Sequence, residues 1–321
     1  MNDMINIAIA PDDNYVMPAT VLVTSILENK QSELKIFMLS LENHFSKENR
    51  EIFYNLSKKY GSQIEFIELK EDKLVGFPIL RHGLSAYLRM YTPELLPNIE
   101  KLLYLDCDII VDCPLDDLFN INIDEYDMAA VMDLNEVMIP DFLESIGCTS
   151  GHYVNTGVLL MNLKKLRNRN ILGDTLSYLK LYKDLIRFSD QDILNGIIPN
   201  ILLLPPKYNS TIHLWNPKTR HFCLKVWTEA EIEDGRNNPV IIHYLSVVKP
   251  WHWGAKHPLR YKWFDYLKMT PYKDFKPIID KNYLQFRLRS IKHIILNKIV
   301  FVVKLVTPQI ILNYVHKKRS A

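Results

Sequence analysis

The stretch LYLDCDIIVD, Leu103 to Asp112, decides how the rest of the chain is read. It starts as a buried β-strand does, with Leu103, Tyr104 and Leu105. Two carboxylates, Asp106 and Asp108, then flank Cys107 before the apolar Ile109, Ile110 and Val111. If residues 102–108 stay extended, alternation puts both aspartates on one face. Two such carboxylates repel, and burying either is costly unless a cation accompanies it. A divalent ion removes the conflict, and hard oxygen ligands suit Mg²⁺ or Mn²⁺, which also hold substrate phosphates. A bare D-x-D also arises where a strand simply runs into a turn, so its surroundings have to decide.

Upstream, strands and helices alternate. NIAIA (6–10) reads as a short buried strand, followed by a helix from about Pro18, a residue suited to a first helical position. LKIFMLS (34–40) is a second strand. Ser46 can cap a helix with Ile52, Phe53, Leu56 and Tyr60 on one face, and Gly61 suits its end. IEFIEL (64–69) alternates apolar and acidic residues, as a strand near a sheet edge does. The alternation predicts βαβ units: an α/β fold with a Rossmann-like, mainly parallel sheet flanked by helices. Ligands of such sheets gather beyond the carboxyl ends of the strands. Asp12, Asp13 and Asn14 stand at one such end, and Asp106 and Asp108 at another.

Downstream, DMAAVMD (127–133) is a strand ending in Asp133, and GVLLMNL (157–163) is a strand preceded by Asn155 and Thr156. SDQDILNGI (189–197) opens a helix, and VIIHYL (240–245) is a late strand carrying His243. Residues 200–238 contain several prolines and little periodicity.

Composition bounds the possibilities. The 321 residues are 48% hydrophobic and 24% charged, an ordinary globular balance. There is neither a GxxxxGK[ST] nor a GxGxxG phosphate loop. Cys107, Cys113, Cys148 and Cys223 show no CxxC spacing, which suits a reducing compartment better than a zinc or disulfide framework. The start, MNDMINIAIAPDDN, lacks the features of a secretory signal, so a cytoplasmic location is expected. Residues 281–321 hold nine basic groups and no acidic one, while the first 280 residues hold 30 basic and 37 acidic groups.

The segments IAIAPDDNY (7–15), LSAYLRMY (84–91), KLLYLDCDIIV (101–111), YVNTGVLLMNLKKLR (153–167), SDQDILNG (189–196) and HYLSVVKPWH (243–252) together resemble glycosyltransferase family 8. That family contains retaining sugar-nucleotide enzymes, among them bacterial lipopolysaccharide α-galactosyltransferases, the nearest likeness, and glycogenin. The resemblance implies a GT-A fold and a hexosyltransferase that moves galactose or glucose from a UDP-sugar to a saccharide of lipopolysaccharide or another cell-surface glycan. It implies Mn²⁺, or Mg²⁺, on Asp106, Asp108 and His243. Donor binding would fall to Ala10, Asp12, Asn14, Tyr15, Arg89, Cys107, Ser246 and Lys249 besides the two aspartates. Asp133, Asn155 and Thr156 would line the sugar and acceptor pocket, with Asp190 and Gln191 as catalytic residues. At Ser246 the chain departs from the family's usual glycine.

Retention in hydrolases usually needs a carboxylate nucleophile, and Asp190 is the one candidate. Its absence elsewhere favours front-face attack, with the acceptor hydroxyl entering on the side that UDP leaves. Each residue also has a plainer reading: Asp190 as a helix cap, Arg89 paired with a surface acid, Lys249 in solvent, His243 as a structural histidine. Two other functions compete, a phosphohydrolase of the haloacid dehalogenase type and a non-catalytic UDP-sugar-binding scaffold.

The catalytic domain is expected over 1–280 and a basic amphipathic helical tail over 281–321. Ile291, Ile294, Ile295, Val302, Val303 and Val306 are spaced for one helical face, interrupted by Lys298 and Lys304. No apolar run is long enough to span a bilayer. Peripheral attachment of residues 283–319 to anionic lipid on the cytoplasmic face follows from that pattern, and a nucleic-acid partner does not.

Overall fold

The computed structural model describes residues 4–80, 83–148, 151, 153–245 and 247–279. Ser246 and the whole basic tail lie outside the described residues, as does the position of the expected domain boundary at 280. The chain divides into two units. One comprises residues up to Lys249 together with Lys256–Phe275; the other joins Pro250–Ala255 to the chain from Lys276 onward. Within the second unit His252 and Ile278 form an isolated parallel bridge.

The first unit is built on a seven-stranded sheet. In chain order its strands are β1 (Ile5–Ile9), β2 (Leu34–Leu41), β3 (Gln63–Leu69), β4 (Lys101–Leu105), β6 (Met128–Met132), β7 (Val154–Asn162) and β8 (Ile201–Leu204). Their spatial order is β3-β2-β1-β4-β7-β6-β8. A three-stranded sheet, β5-β10-β9, is formed by β5 (Ile109–Val111), β9 (Ser210–Thr211) and β10 (Ile241–His243).

Side-chain alternation explains why helices cover both faces of the large sheet. Ile5, Ile7 and Ile9 of β1 and Leu103 and Leu105 of β4 enter one core with Leu22, Ile26, Phe53 and Leu56. The last four come from helices α1 (Val16–Glu28) and α2 (Lys47–Tyr60). Ala8, Leu102 and Tyr104 enter a second core on the opposite face, against the chain from Leu163 to Ile198. That side includes α3 (Ile171–Tyr182) and α4 (Asp190–Ile197).

The helix termini follow their local chemistry. Ser46 Oγ accepts the Asn49 N–H at the start of α2, and Gly61 closes that helix at φ +59°, the left-handed region that glycine enters without strain. The edge position expected for residues 64–69 is observed, since β3 pairs with β2 alone and Lys35 meets Glu65 at 2.6 Å. The first helix differs from expectation: α1 begins at Val16, and Pro18 is its third residue.

Two further departures bear on the site. The sheet is mainly parallel, but β7 runs antiparallel to both β4 and β6. It also starts three residues earlier than expected, so Asn155 and Thr156 lie inside the strand. The second departure is that the D-x-D run is not one extended strand. β4 ends at Leu105, residues 106–108 turn, and β5 joins the small sheet.

Candidate active site

Reversal of β7 places its first residues at the same sheet edge as the last residues of β4 and β6. Asp106 N–H donates to Gly157 O at 2.9 Å, and Asp133 N–H to Tyr153 O at 2.9 Å. β10, antiparallel to β5, ends at that edge with His243 paired to Ile109. Sheet topology alone therefore assembles the D-x-D turn, Asp133, Asn155, Thr156 and His243.

Asp106, Asp108 and His243 each offer a ligand atom, all within 4.8 Å of one another. The convergence comes from the turn rather than from strand alternation. Asp108 Oδ1 lies 3.2 Å from His243 Nε2, and Asp108 Oδ2 accepts from Lys249 Nζ. Burial works to raise the Asp108 carboxyl, but Lys249 and His243 outweigh it and hold the group well below the usual carboxylate range. Lys249 is therefore part of the cluster and not a solvated side chain.

Arg89 is only 5% exposed and does not pair with a surface acid. Its guanidinium donates to Asp106 Oδ1 at 2.7 Å, approaches Asp190 Oδ2 at 3.1 Å, donates to the Thr156 carbonyl and stacks over Tyr104 at 4.4 Å. Burial opposes its charge, but Asp106 and Asp190 raise its pKa above the ordinary arginine value. Asp190 is not a helix cap. Ser189 occupies the cap position without a side-chain bond, while Asp190 opens α4 with its side chain buried. It accepts from Thr156 Oγ1 at 2.9 Å, and burial, against the pull of Arg89, pushes its pKa up to about 6.

Beside this pair lies a second polar cluster. Asp133 Oδ2 accepts from Asn155 Nδ2 at 3.1 Å and from Gln191 Nε2 at 3.3 Å. A small pocket reaches from Asp133 and Asn155 to His213 and Trp227.

The loop after β1 is held by Asp12, whose Oδ1 accepts from the N–H groups of Asn14 and Tyr15 at 2.9 and 3.1 Å. Asp13 has a different task, accepting from Ser46 N–H at 2.9 Å and Asn49 Nδ2 at 2.8 Å at the head of α2. Burial first, and then Asp108, raise the Tyr15 hydroxyl pKa, so Tyr15 stands close to the D-x-D turn. Ala10, the first residue after β1, packs its methyl against the second core. The side chain of Cys107 is buried. It packs into the first core, where burial and the two flanking aspartates push its thiol pKa far up.

Two residues of the site were not expected from sequence. Gly157 lies so close to the cluster that an added Cβ would meet His243 Cε1 at 2.3 Å and Asp106 Oδ2 at 2.9 Å. Asn209, 2% exposed, faces His243 Nδ1 with its Oδ1 at 2.9 Å. A glycine inside an apolar strand is a known sign of close approach, whereas Asn209 follows a proline-rich turn and carries no pattern. The donor set fits a divalent cation: two hard oxygens and an imidazole nitrogen converge, and the side chain missing at Gly157 leaves them room.

The family model described as Glycosyl transferase family 8 matches residues 6–254. The chain belongs to glycosyl transferase family 8. This glycosyltransferase is 26% identical to the lipopolysaccharide 1,2-glucosyltransferase of Escherichia coli K12, over 92% of this chain and 86% of that one. It is 28% identical to the lipopolysaccharide 1,3-galactosyltransferase of Salmonella typhimurium LT2, over 79% and 75%. A crystal structure of the galactosyltransferase LgtC in complex with donor and acceptor sugar analogues superposes with a TM-score of 0.73 at 26% identity, covering 88% of this chain and 99% of that one. The fold of this glycosyltransferase is thus GT-A, and the family match favours neither the phosphohydrolase nor the scaffold reading. Its substrates are a sugar donor and a saccharide acceptor. Among the described residues, no helix is long and apolar enough to cross a membrane.

Proposed function

We propose that the chain is a retaining, metal-dependent hexosyltransferase that moves galactose or glucose from a UDP-sugar to a saccharide acceptor of lipopolysaccharide or a related cell-surface glycan. The observation that carries this reading is the meeting of Asp106, Asp108 and His243 within 4.8 Å, beside Asp133, Asn155, Asp190 and Gln191. Its lipopolysaccharide-directed relatives support the acceptor class.

Asp106, Asp108 and His243 would hold Mn²⁺ or Mg²⁺, which when bound supplies Lewis acidity and neutralises charge on the departing diphosphate. Asp12 shapes the loop that presents Asn14 and Tyr15 to the nucleotide. Lys249 acts as a point charge on phosphate, leaving Asp108 as the diphosphate arrives. Asp133, Asn155 and Thr156 line the sugar pocket, with Gln191 fixed between them.

Asp190 is a poor nucleophile here, because its Oδ2 already accepts from Thr156 and pairs with Arg89. It instead stabilises the positive charge that grows on the sugar ring. The acceptor hydroxyl attacks from the face that UDP leaves and passes its proton to the leaving phosphate, which preserves the anomeric configuration.

The test is a panel of UDP-galactose and UDP-glucose with Mn²⁺ or Mg²⁺, reading UDP release with and without oligosaccharide acceptors, and the anomeric configuration of the product by NMR. The double variant Asp106→Ala, Asp108→Ala should lose at least about 100-fold in rate, the scale of removing one electrostatic stabiliser. Full turnover of that variant in chelator would sink the metal reading, and an inverted product would sink retention.

A further inference from the structure

We propose that Asn209 is the positioning residue for His243: it fixes the imidazole as the Nδ1–H tautomer and ties it to the Asn155–Gln191–Asp133 cluster. The inference rests on the proposed role of His243 as a metal ligand. Two main-chain donors of β7 set the polarity. Gly157 N–H donates at 3.1 Å to Asn155 Oδ1, which identifies that atom as the amide oxygen. Asn209 Nδ2 donates to the same oxygen at 2.8 Å. The remaining amide atom of Asn209, its oxygen, therefore faces His243 Nδ1 at 2.9 Å. An amide oxygen only accepts, so Nδ1 carries a proton. With no ion present Nε2, 3.2 Å from Asp108 Oδ1, can donate to that carboxylate; when a cation is held there, the lone pair of Nε2 is the one left for it.

The same logic runs outward. Thr156 N–H donates to Gln191 Oε1 at 3.3 Å, which leaves Gln191 Nε2 to donate to Asp133 at 3.3 Å. Asn155 Nδ2 donates to Asp133 at 3.1 Å and to Gln191 Oε1 at 3.2 Å. Flipping either Asn155 or Asn209 alone would set donor against donor or acceptor against acceptor. His243 and Asn209 are 1% and 2% exposed, so bulk water cannot stand in for the lost bonds. Two rigid N–H groups of one strand thereby dictate which ring nitrogen can meet a cation, and Asn209 is the link that transmits the instruction.

The test uses the full chain, with Mn²⁺ alone as the probe. Asn209→Ala should weaken Mn²⁺ binding, measured by calorimetry and by the signal of the free ion in electron paramagnetic resonance, by about 10- to 100-fold, the usual effect of losing an outer partner of a ligand histidine. Long-range ¹⁵N NMR of the His243 ring in the metal-free protein should show a proton on Nδ1 in the wild type and its loss in that variant, where only Nε2, facing Asp108, keeps an acceptor. Asn209→Asp keeps an acceptor for the ring but cannot donate to Asn155. It should retain the Nδ1–H signature and recover Mn²⁺ affinity while transfer remains impaired. Unchanged Mn²⁺ affinity and tautomer in Asn209→Ala, with clear loss of affinity in His243→Ala, would overturn the inference alone. Wild-type Mn²⁺ affinity in His243→Ala would overturn the ligand role beneath it. If Asn209→Ala does not fold, an unprotonated Nδ1 in Asn209→Asp would overturn the inference.

Discussion

Asp190 carries a charge that its surroundings resist. Burial lifts its pKa from 3.8 to about 6. A carboxyl whose folded pKa is raised favours the folded state below its unfolded value, and that contribution disappears as pH rises through about 6. The loss is at most about 3 kcal/mol. In chelator, urea midpoints should therefore fall between roughly pH 4 and 7 for the wild type relative to Asp190→Asn; parallel curves for the two would contradict the assignment. Gly157 gives a second prediction at this scale. Gly157→Ala drives a methyl into His243 and Asp106, so it should cost about 1–3 kcal/mol in thermal stability and weaken Mn²⁺ binding as well. The residues legible in the sequence were those whose polarity is out of place in an apolar run, Asp106, Asp108 and His243, whereas Asp190 stands among polar neighbours at a helix start and was singled out only by the family resemblance. Asn209 was not legible, because a buried amide is neutral, and its partners lie 34 and 54 residues away in the chain.

At the scale of elements, apolar runs and cap residues located β1, β2, β3 and α2 almost to the residue. Strand direction was not legible. β7 is buried on both faces along nearly its whole length, and a run covered on both faces reads the same whichever way it enters the sheet. The break at residues 106–108 was hidden for a similar reason, since apolar residues on both sides imply one strand when two sheets share the run. Gly61 provides a prediction away from the site. Its φ of +59° suits glycine, and Gly61→Ala should lower the unfolding free energy by about 1–2 kcal/mol. Donor turnover per folded molecule should stay unchanged, and a drop in it would tie α2 to the nucleotide loop through Asp13.

At the scale of the whole molecule, charge is divided unevenly. The first 280 residues carry 30 basic and 37 acidic groups, and the last 41 carry nine basic groups and no acidic one. An excess of that kind binds anionic lipid at about 1 kcal/mol per lysine or arginine near the surface. Removing residues after Tyr283 should abolish co-sedimentation with phosphatidylglycerol vesicles and leave transfer to a water-soluble acceptor intact. Equal sedimentation of both forms would defeat the membrane role. The family match ends at residue 254, before this tail begins.

The seam between Leu105 and Ile109 has a consequence of its own. Asp106 and Asp108 stand where the backbone leaves the large sheet, while His243 ends the neighbouring strand of the small one. An ion gripped by all three would act as a rivet through that seam, adding to the packing and to the Asn155–Asn209–His243 hydrogen bonds that already join the two layers. The melting temperature should then climb with the logarithm of ion concentration, with a gain near 2.7 kcal/mol at about a hundred times the dissociation constant. A cell starved of the ion would lose the protein itself to proteolysis as well as its catalysis, so the abundance of the chain would track metal supply.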